Sequence, residues 1–193
     1  MSKRKNTKTD NANLGSKLML RSYFLNKYHA GERIDVLDCC EGGGTIWSRL
    51  RKEFSVTQYW GLDLKNKRGR LKVNSARVLS MPGWTQNVID IDTYASPWGH
   101  WLAMLPNVER PVTVFLTCGQ VTVGGSPMTR EESDSLGVGG MSYIPNSIQA
   151  KLKEFSARYC LTRACDFGIT IKEAKKITEN HVVSYMGLRL EPG

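Results

Sequence analysis

The sequence runs to 193 residues, 40% hydrophobic and 23% charged, with a formal net charge of +9. That length suits one domain, since splitting becomes usual only beyond about 250 residues, and no apolar run approaches the roughly 18 residues of a membrane helix. A membrane protein and a secretory signal are not expected, a cytoplasmic protein is, and the excess of lysine and arginine points to a polyanionic partner, nucleic acid foremost. The five cysteines, Cys39, Cys40, Cys118, Cys160 and Cys165, are odd in number. They form no C-x-x-C pair, so they are expected to behave as small hydrophobes rather than as disulfides or metal ligands.

Residues 1–14 are polar, carry Lys3, Arg4, Lys5 and Lys8, and predict a flexible basic arm. Residues 15–193 then read as one domain. Leu18, Leu20, Tyr23, Phe24, Leu25 and Tyr28 follow Ser16 at helical spacing, with Ser16 as the expected cap and Ala30-Gly31 as the stop. Ile34 to Leu37 predicts a buried strand, Thr45 to Phe54 a helix, and Tyr59 to Leu62 a second strand ending at Asp63. Val73 to Leu79 predicts a third strand, Val88 to Ile91 a fourth ending at Asp92, and Val112 to Thr117 a fifth, with a helix over Pro97 to Leu105 before it.

Residues 119–140 are rich in glycine, serine and threonine without a period, the composition of a lid or binding loop. Ile148 to Cys165 predicts a long helix, Thr170 and Glu173 have capping-box spacing, and His181 to Leu190 predicts a final strand. Strands alternating with helices define an α/β class: a mainly parallel sheet with helices on both faces. Beyond the arm, basic residues cluster at Lys65, Lys67, Arg68, Arg70 and Lys72, and again at Lys172, Lys175 and Lys176.

The first strand runs through Val36-Leu37-Asp38-Cys39-Cys40 into Glu41-Gly42-Gly43-Gly44 and then a helix. Glycines there let backbone approach a ligand, and the helix beyond presents free N–H groups. A dinucleotide fingerprint, G-x-G-x-x-G, counted from Gly42 meets Gly44 and then Trp47, where close helix–strand packing calls for a small residue. That spacing disfavours a nicotinamide oxidoreductase. Asp38 followed at two, four and six positions by Cys40, Gly42 and Gly44 resembles motif I of the class I S-adenosylmethionine-dependent methyltransferases. The resemblance implies a Rossmann-like methyltransferase fold with an antiparallel C-terminal edge strand. It also implies S-adenosylmethionine as cofactor, held by Asp38, Cys40, Glu41, Gly42 and Gly44. Asp63, about 25 residues after Asp38, falls where such folds place a ribose-binding carboxylate, and Ser75 falls near the position of the adenine contact.

Asp90 and Asp92 alternate on one strand and point the same way, with Asp92 at the mouth of the crevice where α/β ligands bind. The run Asp92-Thr93-Tyr94-Ala95-Ser96-Pro97 resembles the Asp-Pro-Phe-Gly-Ser-Pro signature of tRNA guanine dimethyltransferases, with Thr93 for the first proline and Ala95 for the glycine. More distantly it resembles the motif of other base-amine methyltransferases. The resemblance implies that Asp92, also counted among the cofactor contacts, accepts N–H bonds from an exocyclic base amine, and that Tyr94 stacks on the base. Trp98, His100 and Trp101 are either pocket-lining or core. RNA is favoured over DNA as substrate. The alternatives are a non-catalytic nucleic-acid-binding protein that keeps the fold, and a small-molecule methyltransferase.

Overall fold

The computed structural model describes residues 13–64, 71–93, 96–119, 154, 156–179 and 183–193. Its elements are α1 (Leu14–Tyr28), β1 (Ile34–Asp38), α2 (Thr45–Leu50), β2 (Val56–Asp63), β3 (Leu71–Lys72), α3 (Ser75–Leu79), β4 (Val88–Ile91), α4 (Trp98–Met104), β5 (Val112–Cys118), β6 (Ile169–Glu179) and β7 (Val183–Pro192). Residues 156–162 are also helical, and they lead into a 3-10 turn over Arg163–Phe167. Among the described residues, no helix is long and apolar enough to cross a membrane.

The apolar runs of β1, β4 and β5 are buried on both faces, as expected of central strands covered by helices. They lie in one seven-stranded sheet of order β3-β2-β1-β4-β5-β7-β6. All pairings from β3 through β5 are parallel, whereas β7 runs antiparallel to both β5 and β6. Strand alternation then sorts the core into two layers. Val36, Val88 and Phe115 pack with Leu20, Phe24 and Leu25 of α1 and Ile46, Trp47 and Leu50 of α2. Leu37, Ile89, Ile91, Val114 and Leu116 pack with Leu79 of α3 and Trp98, Trp101 and Met104 of α4. Gly187 of β7 allows α1 to seat this deeply, since a Cβ there would lie 2.5 Å from the Phe24 ring.

Several expectations need correction. The predicted third strand over Val73 to Leu79 is instead helix α3, and β3 is reduced to Leu71–Lys72. Asn74 decides this, its side chain accepting from the N–H groups of Ala76 at 3.0 Å and Arg77 at 3.4 Å, a local bond that starts a helix. Helix α1 begins at Leu14 behind Asn13 rather than at Ser16, because the Ser16 hydroxyl donates to the Glu179 carboxylate. Thr170 and Glu173 form no capping box. They lie in β6, whose less exposed positions Ile169, Ile171, Glu173, Ile177 and Glu179 keep one alternation across a register shift between Ile171 and Glu173, and charged residues at Glu173 and Lys175 disguise that strand period in the sequence. The antiparallel C-terminal strand is present, but β6 occupies the edge and β7 lies inside it. Helix α2 stops at Leu50, short of Phe54. The expected basic arm and lid fall almost wholly outside the described residues, as do residues 148–153 of the predicted long helix.

Candidate active site

Strands β1, β2 and β4 deliver their carboxyl ends to one side of the sheet, and each ends in or beside an aspartate: Asp38, Asp63 and Asp92. The loop after β1 is pinned to both neighbouring strands. Cys39 N donates to Asp90 O of β4 at 2.8 Å, and Glu41 N donates to Leu62 O of β2 at 3.0 Å. Gly44 N then closes back on Glu41 O at 2.7 Å. Gly42 at φ 54° and Gly44 at φ 67° occupy left-handed backbone, which a side chain would strain. The Glu41 carboxylate lies across β2, so close that a Cβ on Gly61 would stand 2.3 Å from its Oε2.

Asp38 is buried, accepts from the Cys40 N–H at 3.3 Å and from the Tyr59 hydroxyl at 2.8 Å, and receives no formal charge from either. Burial, and after it the Asp90 carboxylate, push its pKa well above the usual carboxylate range. The Cys40 thiol is likewise raised, first by burial and then by the fields of Asp38, Asp92, Asp90 and Asp63. It stays protonated, and the loop that carries it lies between the β2 end at Asp63 and the β4 end beside Asp92. Ser75 opens α3, and its Oγ lies 2.9 Å from His100 Nε2 of α4. His100 is depressed below its ordinary value by burial, and its contact with Ser75 ties α4 to α3. Trp98 and Trp101 are core residues, Trp101 donating to Cys160 O at 2.6 Å.

Asp90 and Asp92 do point the same way, and both meet cations from α1. Arg21 donates to Asp90 through Nε at 2.8 Å and Nη2 at 2.6 Å, and Trp47 Nε1 adds a third bond at 2.7 Å. Lys17 Nζ donates to both Asp92 oxygens, at 2.8 and 2.7 Å. The match is geometric: four residues of helix advance about 6 Å and two residues of strand about 6.6 Å, so Lys17 and Arg21 meet successive rungs. Burial opposes the Arg21 charge, but the Asp90 carboxylate outweighs it and its pKa is raised. Beside Asp92, Thr117 follows the Ile91–Leu116 pairing and is itself paired with Tyr185. Thr117 Oγ1 is buried without a hydrogen-bond partner among the described residues, and the Lys17 ammonium sits 5.2 Å from the Tyr185 ring centre.

Of the residues singled out in the sequence, the structure brings Asp38, Cys40, Asp63 and Asp92 together around the loop, with Glu41 folded over β2. Ser75 is engaged by His100, and Tyr94 lies outside the described residues. Sequence reasoning missed Lys17, Arg21, Tyr59 and Thr117. Lys17 and Arg21 carried a readable signal, for they share the buried face of α1 with Leu20, Phe24 and Leu25, and charges on an apolar face require partners. Tyr59 and Thr117 carried none, since only the assembled sheet gives them neighbours. Of the basic clusters, the described part of the second is Lys72; in the third, Lys172 pairs with Glu191 at 2.8 Å and Lys175 sits 3.5 Å from the Tyr23 ring centre. Cys39, Cys118 and Cys160 are buried as expected of small hydrophobes, whereas Cys165 is exposed.

The fold is that of the Rossmann-like, class I methyltransferases. The chain is similar over its whole length to Trm1 from Pyrococcus horikoshii in complex with S-adenosyl-L-methionine, with a TM-score of 0.69, 13% identity and coverage of 59% of that chain. It therefore spans less than two thirds of that protein. The plantazolicin methyltransferase BamL, in complex with a triazolic desmethylPZN analog and SAH, gives a TM-score of 0.55 at 12% identity, over 95% of this chain and 85% of that one. TrmN from Thermus thermophilus gives 0.53 at 15% identity, over 91% and 49%. Neither a protein-family profile nor a curated protein matches the sequence.

Proposed function

We propose that the protein is an S-adenosylmethionine-dependent methyltransferase acting on an exocyclic amine of a nucleic-acid base, RNA ahead of DNA. The observation that carries this reading is the glycine loop after β1, tied by Cys39 N to Asp90 O and by Glu41 N to Leu62 O, between the strand ends that carry Asp63 and Asp92. The donor set suits the cofactor. Glycines at positive φ let a ligand approach the loop backbone closely, Asp63 would offer an acceptor-only carboxylate to ribose hydroxyls, and the acidic surroundings favour a cationic ligand. When bound, the cofactor supplies an electrophilic methyl group on a sulfonium.

The chain's own residues would do the rest by orientation and electrostatics. Asp92 accepts an N–H of the amine, favouring the form whose lone pair is available. Asp92 would hold the amine with that lone pair turned toward the cofactor's methyl group, and the proton the amine loses would pass to solvent. The net charge of +9 suits a polyanionic substrate.

Calorimetric titration with S-adenosylhomocysteine is expected to give binding heat that Asp63→Ala largely abolishes. Labelled methyl groups should enter mixed RNA, and nucleoside mass spectrometry should place them on a base amine. Asp92→Ala should stop incorporation while leaving cofactor affinity in place. No binding by the wild type would refute the cofactor assignment, and unchanged turnover in Asp92→Ala would remove Asp92 from the reaction.

A further inference from the structure

The Asp92 carboxylate has about four acceptor positions, and Lys17 takes one on each oxygen, so acceptor capacity remains for a substrate amine. The Lys17 ammonium has three N–H groups, and the carboxylate uses two. Asp92 and Lys17 therefore present, side by side, an acceptor and a donor. Neither side chain is sealed, with 18% of Asp92 and 8% of Lys17 still accessible. Tyr185 walls one side of the ammonium, and Thr117 Oγ1, buried without a partner among the described residues, lies in the same row of the sheet. Arg21 on Asp90 holds α1 in the register that keeps Lys17 there.

We propose that Lys17 determines specificity by donating to the ring nitrogen that adjoins the acceptor amine, so that the Asp92–Lys17 pair reads the amidine edge of a base. This rests on the reading of Asp92 as the amine acceptor. The edge, an amine donor next to a ring-nitrogen acceptor, occurs in adenine at N6 and N1, in cytosine at N4 and N3, and in guanine at N2 and N3. A simple alkylamine lacks it.

The test uses the full-length protein and three RNA oligomers, each with one adenine, cytosine or guanine in a uridine background, plus versions in which carbon replaces the adjoining ring nitrogen. Labelled methyl incorporation identifies the base. Removing an acceptor for a charged donor should lower kcat/KM by about tenfold to hundredfold in the wild type, while 7-deaza purines, altered on the far edge, should be unaffected. In Lys17→Met, folded by circular dichroism, the deaza penalty should shrink to under about threefold, because the donor it depends on is gone. Oligomer binding in the presence of S-adenosylhomocysteine should follow the same pattern. An equal deaza penalty in wild type and Lys17→Met, or none in the wild type, overturns the role of Lys17. If Lys17→Met does not fold, the wild-type contrast between adjoining-nitrogen and 7-deaza substrates decides the edge reading alone. Unchanged incorporation by Asp92→Ala, or none into any oligomer by the wild type, would instead bring down the base-amine reading beneath it.

Discussion

Replacing Arg21 by methionine isolates the inner rung between α1 and the sheet. Arg21 and Asp90 are each 1% exposed, so the substitution keeps the aliphatic stem packed but leaves the Asp90 carboxylate buried without its cation. Breaking such a pair from one side costs about 3–5 kcal/mol. For a domain of this size that lowers the melting temperature by roughly 6–20 °C. The Trp47 N–H still reaches Asp90, which keeps the loss toward the lower end. Asp90→Asn added to Arg21→Met removes the stranded charge while an amide oxygen still accepts from Trp47, so the double variant should regain about 2 kcal/mol over the single one. Urea unfolding of wild type, both single variants and the double variant closes the cycle. A loss under about 1 kcal/mol in Arg21→Met, or strict additivity of the two changes, would refute the argument that the pair is electrostatically coupled in a dry interior.

Gly61→Ala should displace the Glu41 carboxylate, whose Oε2 lies 2.3 Å from the new Cβ. Because the struck atoms end a flexible side chain, stability should change by under about 1 kcal/mol, while affinity for S-adenosylhomocysteine by calorimetry should fall if Glu41 borders the cofactor. Asp38→Asn bears on pH. A carboxyl group whose folded pKa lies above its unfolded value, about 3.9, binds more protons folded than unfolded in that window, so it costs stability increasingly as pH rises through it. The variant should therefore gain melting temperature over wild type at pH 7 but little at pH 4, and a constant difference across that range would contradict the assignment.

The central sheet was legible because β1, β4 and β5 are short runs dominated by β-branched and aliphatic residues, and because glycines after Asp38 mark a turn that few other residues permit. The flanks were not. Asn74 caps Ser75–Leu79, whose Ala, Arg and Leu favour a helix over the strand that Val73 and Val78 suggested, and charged Glu173 and Lys175 masked the alternation of β6. The acidic half of the site was readable, since Asp38, Asp63 and Asp92 each end a strand. Its cationic half depended on the docking of α1, a tertiary event, although Lys17 and Arg21 on an apolar helix face announced that buried partners existed.

Because β7 runs against its neighbours, its end and the crevice lie at opposite poles of the sheet. Val183 starts β7 beside the carboxyl ends of the parallel strands, and Gly193 finishes against Gly168 O at 2.8 Å. Helix α1 travels the same way, with Lys17 near the crevice and Tyr28 far from it. The pole that carries Gly168 and Gly193 is thus a place where a label reports on the sheet from the side away from the crevice.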